Sequence, residues 1–353
     1  MDFLVRRDDL RQCRFDETDV PEPGPGEAVL ALERFGLTSN NVTYAVMGDA
    51  MSYWKFFPAE EGWGRIPVWG FGHVEASGHD DLPEGARVYG YFPVSTHLLV
   101  RPQPAEGGGF VDVTPHRVDL PAVYNAYAPA PAEPAPSEDS QVLFRPLFGT
   151  SFLIDDMLDE QGFLGAASVW LSSASSKTAL GTAFMLARRE GVEVVGLTSA
   201  GRADFVRGLG VYDQVITYDG LEGAPTDPVV YVDISGDAEL RGRVHRHLGD
   251  ALAYDCAVGA SHWDRVFADP GPLPGPAPEL FFAPARFAKR MEDWGPASLQ
   301  SRTGEAWGPF AEWASGWLRV EHGDGPDDIE RLYLQLVDGN APPEAGYVLA
   351  PAA

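Results

Sequence analysis

Apolar residues alternate with polar ones in short runs over the first 125 positions, and the runs are punctuated by glycine and proline. Glu27–Glu33 (EAVLALE), Val74–Ala76 and Arg87–Phe92 read as strands, with turn signals at Pro23-Gly24 and at Pro83-Glu84-Gly85. An alternation of Pro and Ala follows at Ala128–Pro136, which predicts a surface loop or an interdomain linker. The pattern then changes. Buried-type strands at Ser168–Ser172, Glu193–Thr198, Gln214–Tyr218, Pro228–Ile234 and Ala251–Cys256 alternate with segments of helical spacing. Those helices are Thr178–Arg189, Ala203–Gly210 and Ala238–Leu248. Strands alternating with helices predict an α/β fold with a doubly wound parallel sheet. Leu280–Ala283 reads as a sixth strand, Ser298–Leu318 as a Trp-rich helix and Tyr347–Ala350 as a last strand.

The length of 353 residues fits two domains, and 44% hydrophobic residues suffice for two cores. The formal net charge of −26 changes the list of partners. Such a surface repels nucleic-acid phosphates and anionic membranes, so a small-molecule substrate is expected instead. No run of apolar residues is long enough for a transmembrane helix, and the charged Met1–Arg11 segment lacks a signal-peptide core. Two distant cysteines, Cys13 and Cys256, offer neither a disulfide framework nor a zinc cluster, so a reducing cytoplasm is the expected compartment.

Candidate chemistry gathers in two places of the α/β half. Between its first strand and helix runs Leu171-Ser172-Ser173-Ala174-Ser175-Ser176-Lys177-Thr178. A helix N-terminus at a strand's carboxyl end attracts a pyrophosphate through free N–H groups and the helix dipole. Here serines stand where such loops carry glycines. Lys177 is one of only three lysines in the chain, beside Lys55 and Lys289. Ser173, Ser175, Ser176, Lys177 and Thr178 are therefore candidate phosphate ligands; a serine-capped helix with a solvated lysine is the plainer alternative. The Walker A spacing is absent. After the second strand, Gly196–Arg202 (GLTSAGR) carries no acid at the strand tip. Ser199 and Arg202 there favour NADP over NAD, because a basic residue accommodates the 2′-phosphate; Asp204 is a competing partner for Arg202.

Further stretches carry a resemblance. Gly26–Gly48 (GEAVLALERFGLTSNNVTYAVMG), Gly70–Gly78 (GFGHVEASG) with Glu84–Gly90 (EGARVYG), and Ile329–Leu349 resemble the medium-chain dehydrogenase/reductase superfamily, in its zinc-free quinone oxidoreductase-like members. Asn40–Gly48, Tyr53–Pro58, Ile66–Phe71, Arg145–Asp156 and Ser173–Ala179 are similar to an uncharacterised branch described only as a domain of unknown function. The resemblance implies a GroES-like β-rich catalytic domain over 1–140, with 313–353 returning to it. It also implies a Rossmann nucleotide-binding domain over 141–312. The Cys and His-Glu ligands of zinc-dependent members are missing, with Val68-Trp69 where His-Glu would stand, so no metal is expected.

The resemblance further implies site residues. Tyr44, four positions before Gly48, matches a tyrosine near the nicotinamide, and Asn41 lies near an Asp or Asn of the family. Thr150 matches a helix threonine beneath that ring, Arg202 a basic residue of NADP-binding members, and Tyr218 a tyrosine closing the third strand. The implied activity is NADPH-dependent, zinc-independent reduction of an activated C=C bond in an enone, quinone or enoyl thioester. Tyr44, Tyr53 and Tyr124 are the candidate donors, on the argument that neighbours can lower a tyrosine's pKa. Two other functions stay open: a non-redox enzyme acting on a coenzyme thioester, and a non-catalytic nucleotide-binding protein. The apolar strand Leu280–Ala283 suggests a homodimer through a sheet edge.

Overall fold

A computed structural model describes residues 1–105, 108–266 and 268–351. The chain divides into two compact units, Met1–Leu143 with Arg319–Ala353, and Phe144–Leu318. The first boundary falls inside one helix.

The first unit contains β1 (Asp2–Arg6), β2 (Cys13–Asp16), β3 (Ala28–Leu37), α1 (Ser39–Val46), β4 (Trp63–Arg65), β5 (Pro67–Ser77) and β6 (Arg87–Pro93). Then come β7 (His97–Val100), β8 (Pro102–Pro104), β9 (Phe110–Asp112) and β10 (Ala126–Pro129), followed by α2 (Glu138–Glu160). Most of these strands form a nine-stranded sheet centred on the antiparallel trio β3, β5 and β6. β6 is buried along its whole length, on both faces, and Val29, Phe35 and Val68 are fully buried as well. Part of the Pro-Ala stretch is strand rather than loop. Ala128 and Pro129 pair with Tyr89 and Val88. Proline is tolerated where its missing N–H is not needed in the ladder. Gly36 of β3 has a packing reason, since a Cβ there would lie 2.3 Å from the Val142 carbonyl oxygen at the start of α2.

The second unit is built on β11 (Ser168–Leu171), α3 (Lys177–Leu186), β12 (Glu193–Thr198), α4 (Ala203–Gly208), β13 (Gln214–Thr217), β14 (Val229–Asp233), α5 (Ala238–Leu248), β15 (Leu252–Ala257), β16 (Glu279–Leu280) and α6 (Ala283–Ser315). The six strands are parallel in the order β13-β12-β11-β14-β15-β16. Counted within the unit this is 3-2-1-4-5-6, the dinucleotide-binding order, with its switch point between β11 and β14. Trp170, Val195, Leu197, Tyr231, Val244 and Leu248 form a core between sheet and helix.

Two expectations need correction here. The sixth strand ends at Leu280, because Pro284 sits in the first turn of α6 and turns the chain into helix. That helix starts at Ala283 rather than Ser298; Gly295, at φ 74° and ψ 162°, interrupts it without ending it. The chain then returns to the first unit through β17 (Arg319–Asp324), α7 (Gly325–Val337) and β18 (Ala345–Ala350), with β18 antiparallel to β3.

Candidate functional site

In a sheet of this order, ligands bind at the carboxyl ends of the strands near the switch point. Three of the four loop serines there are turned into the protein. Ser172, fully buried, donates to Asp233 Oδ1 at 2.7 Å and accepts from the Ile234 and Ser235 N–H groups at 2.9 Å each. It thereby ties the tips of β11 and β14 together. Ser175 Oγ accepts from Arg202 Nη1 at 3.4 Å, and Ser176 caps α3 by accepting from the Ala179 N–H at 3.3 Å. These side chains therefore keep the turn small, much as glycines would. Ser173 is the exception and adopts φ 50°, a left-handed conformation that costs a non-glycine residue of order 1–3 kcal/mol. Its N–H donates to Tyr218 Oη at 3.2 Å and its Oγ accepts from Ser261 Oγ at 3.0 Å. Strained backbone of this kind persists where surrounding contacts over-determine it, and it gathers at binding sites.

The other tips complete the rim. Lys177 is the first residue of α3 and, like Thr178, is half-buried. Thr178 offers its carbonyl to Thr182 and to Ser151 of α2. Ser199 is exposed just beyond β12, and Arg202 follows it half-buried. Asp204, the competitor considered for Arg202, pairs with Arg207 at 2.9 Å. Tyr218 stands directly after β13, where burial pushes its phenol well above the ordinary value. Thr150 spends its hydroxyl on the Pro146 carbonyl within α2 at 3.3 Å.

Sequence reasoning passed over the loops after β14 and β15. Gly236, at φ 66°, lets them meet: a Cβ there would lie 2.6 Å from the Gly259 carbonyl oxygen. Beside it, His262 Nδ1 lies 3.4 Å and Arg265 Nη1 3.2 Å from Asp237 Oδ2, and the His262 ring meets Tyr218 edge-on. Applying the strand-tip rule to every strand, rather than to the first three, would have found them.

The candidate donors of the first unit share one aromatic cluster. Tyr44, Tyr53 and Tyr124 are buried with Phe56, Phe57 and Tyr91. Tyr53 and Tyr124 hydroxyls lie 3.3 Å apart, and Trp69 Nε1 donates to Tyr44 Oη at 3.3 Å. The pKa argument is corrected: burial raises Tyr44, Tyr53 and Tyr124 alike, so each phenol stays neutral over the usable pH range. Asn41 lies at the start of α1. Its Oδ1 accepts from the Thr38 N–H at 2.7 Å, and its Nδ2 donates to the Pro67 carbonyl at 2.8 Å. That is the reciprocal half of the α1 capping box. Among the described residues, no group of three or more His, Cys, Asp or Glu side chains is placed to hold a metal ion.

Fold and strand-tip geometry together define a chain with a GroES-like β-rich part and a dinucleotide-type Rossmann sheet. The family described as "Protein of unknown function (DUF2855)" matches residues 35–342, and the chain belongs to it. No curated protein sequence matches. Among solved structures, CurA in complex with NADPH from Vibrio vulnificus is similar at 13% identity and a TM-score of 0.61, over 97% of this chain and 94% of that one. Mycobacterial Rv1454c complexed with NADPH is similar at 15% identity and a TM-score of 0.56, over 99% of both chains. The CurK enoyl reductase is similar at 12% identity and a TM-score of 0.54, over 96% of this chain and 95% of that one. At these identities the likeness establishes the fold, that of the medium-chain dehydrogenases/reductases.

Proposed function

We propose that this chain is an NADPH-dependent, zinc-independent reductase of an activated C=C bond in an enone, quinone or enoyl thioester. The observation that carries the reading is the rim of the 3-2-1-4-5-6 sheet. There Arg202, with no acid on the tip of β12, stands against the serine loop at Ser175. The residues fit a dinucleotide phosphate: the serines are folded inward, and Lys177 sits in the first turn of a capped helix. That CurA and Rv1454c are complexed with NADPH, and that CurK is an enoyl reductase, supports the same reading.

In this reading Lys177 and Thr178 hold the pyrophosphate over the turn that Ser173, Ser175 and Ser176 keep small, while Arg202 and Ser199 hold the 2′-phosphate. Thr150 and Tyr218 support the rest of the cofactor. When bound, the reduced nicotinamide supplies a hydride to the substrate's β-carbon. One proton goes to the α-carbon, and the carbonyl oxygen carries enolate charge in between. The hydroxyls of Tyr44, Tyr53 and Tyr124 then act as neutral hydrogen-bond donors, with water as the proton source. Zinc independence is supported by Val68 and Trp69, neither of them a metal ligand, at adjacent positions of β5. We also propose a cytoplasmic homodimer.

The test is a fluorescence titration of NADPH and NADH into the protein, followed by NADPH oxidation with an enone, a quinone and an enoyl thioester. Tighter NADPH binding and turnover of one acceptor class are expected. Tight binding without oxidation of any acceptor makes the protein a nucleotide binder, and absence of binding removes the dinucleotide reading.

A further inference from the structure

Tyr91 is fully buried in the aromatic cluster of the first unit, and its hydroxyl has no hydrogen-bond partner among the described residues. A buried hydroxyl left unpaired is expensive, so natural structures give it a partner. The neighbouring phenols have theirs: Tyr53 and Tyr124 face each other, and Tyr44 accepts from Trp69. The Tyr91 ring is held from several sides, with centroid distances of 4.8 Å to Tyr124, 5.2 Å to Trp69, 5.5 Å to Phe56 and 5.6 Å to Tyr44. Its backbone is held as well, since Tyr127 Oη donates to the Tyr91 carbonyl at 2.6 Å. The cluster has a partly exposed margin. Met47, Met51 and Trp69 pack against it while staying partly exposed, and methionine side chains move aside at little cost.

We propose that Tyr91 is a further catalytic residue, whose hydroxyl donates a hydrogen bond to the carbonyl oxygen of a flat conjugated carbonyl substrate lying among these aromatic rings. The proposal rests on the reductase reading for its reaction. The aromatic walls suit a planar conjugated acceptor, which stacks on rings; a saturated chain gains less there. As charge builds on the carbonyl oxygen, a fixed donor in a water-poor site stabilises it without reorganising. Burial holds the Tyr91 phenol far above its ordinary range, while the Arg117 guanidinium, stacked on Phe57 at 5.0 Å, pulls in the opposite direction. The group therefore stays a neutral donor and adds no ionisation of its own to the pH profile.

The experiment compares wild-type protein with Tyr91→Phe, using trans-cinnamaldehyde as probe. A hydrogen bond to its carbonyl shifts its ultraviolet band to longer wavelength, with or without turnover. The variant should fold and melt like the wild type, because it removes an unpaired hydroxyl and keeps the ring. In the wild type the band shifts and NADPH is oxidised. In Tyr91→Phe the band shift is lost and kcat falls on the order of ten- to a hundredfold, with NADPH affinity unchanged. If the variant keeps both band shift and rate, the hydroxyl is satisfied by water alone, and the proposal falls while the reductase reading stands. If the wild type oxidises NADPH with no acceptor, the reductase reading falls. The catalytic role then falls with it, and a band shift present in the wild type and absent in the variant keeps Tyr91 only as a donor to a bound carbonyl.

Discussion

A guanidinium contributes to nucleotide choice only where its charge meets a phosphate in a partly dry setting. Arg202 is half-buried and touches Ser175, so its head lies over the serine loop rather than along α4. A charge-assisted hydrogen bond of about 1.5–3 kcal/mol to the 2′-phosphate corresponds to about tenfold or more in affinity. Arg202→Ala should weaken NADPH by that factor and leave NADH nearly unchanged in parallel titrations. Equal loss for both would make it a scaffold residue. Arg202 could be singled out from the sequence because a position just after the second strand is where a basic residue separates the two nucleotides. For Asn41 a capping amide and a cofactor-facing amide look alike in sequence, and the structure adds the cap, with the Thr38 N–H and the Pro67 carbonyl on either side. Tyr91 does not stand out in the sequence for a similar reason. A tyrosine within a fully buried strand reads as core, and the lack of a hydroxyl partner appears only once its neighbours are placed.

At the level of elements, the alternation of strand and helix in the second unit was nearly all readable, since its parallel strands are continuous apolar runs. Glu193–Thr198 and Ala238–Leu248 coincide with β12 and α5. The helix α2 was not delimited, for it carries Pro146 and follows a proline-rich stretch that hides its start. At the start of α3, Lys177 adds its ammonium to the helix's own positive end. Lys177→Met, which preserves length, should weaken dinucleotide binding about tenfold with circular dichroism unchanged. Unaltered affinity would show that the loop holds no phosphate. The cap of α5 carries a different expectation. Asp237 accepts from the Glu239 and Leu240 N–H groups at 3.0 and 3.1 Å. Burial alone would raise its carboxyl, but His262, the Leu240 N–H and Arg265 together hold it down at about 2. A depressed carboxyl stabilises the fold above its unfolded pKa, and that share is lost as pH falls through the folded value. Urea midpoints should therefore drop between about pH 4 and about pH 2, and Asp237→Asn, which keeps a capping oxygen, should flatten that drop. An unchanged acid limb in the variant would remove Asp237 from the explanation.

Over the whole molecule, two features act against each other on self-association. The strand β16 ends the parallel sheet, and Leu280 on it is 58% exposed. An apolar end strand offers unpaired backbone groups to a second copy, and monomers commonly protect such an edge with charge or cover. The adjacent Glu279 is exposed as well, so pairing two copies brings like charges together at the edge. The net charge of −26 per chain opposes the same approach at longer range. Apolar burial is nearly independent of salt, whereas repulsion between exposed charges is screened beyond a Debye length of about 10 Å at 0.1 M. Association through β16 should therefore strengthen as salt rises, the reverse of an interface held by opposite charges. Light scattering at micromolar protein should move toward twice the 38.2 kDa chain mass between low and moderate salt. Leu280→Lys should hold the protein at the single-chain mass at both ionic strengths, with NADPH affinity intact. A wild-type protein that stays at one chain mass in moderate salt would show that β16 is an end strand the molecule keeps to itself.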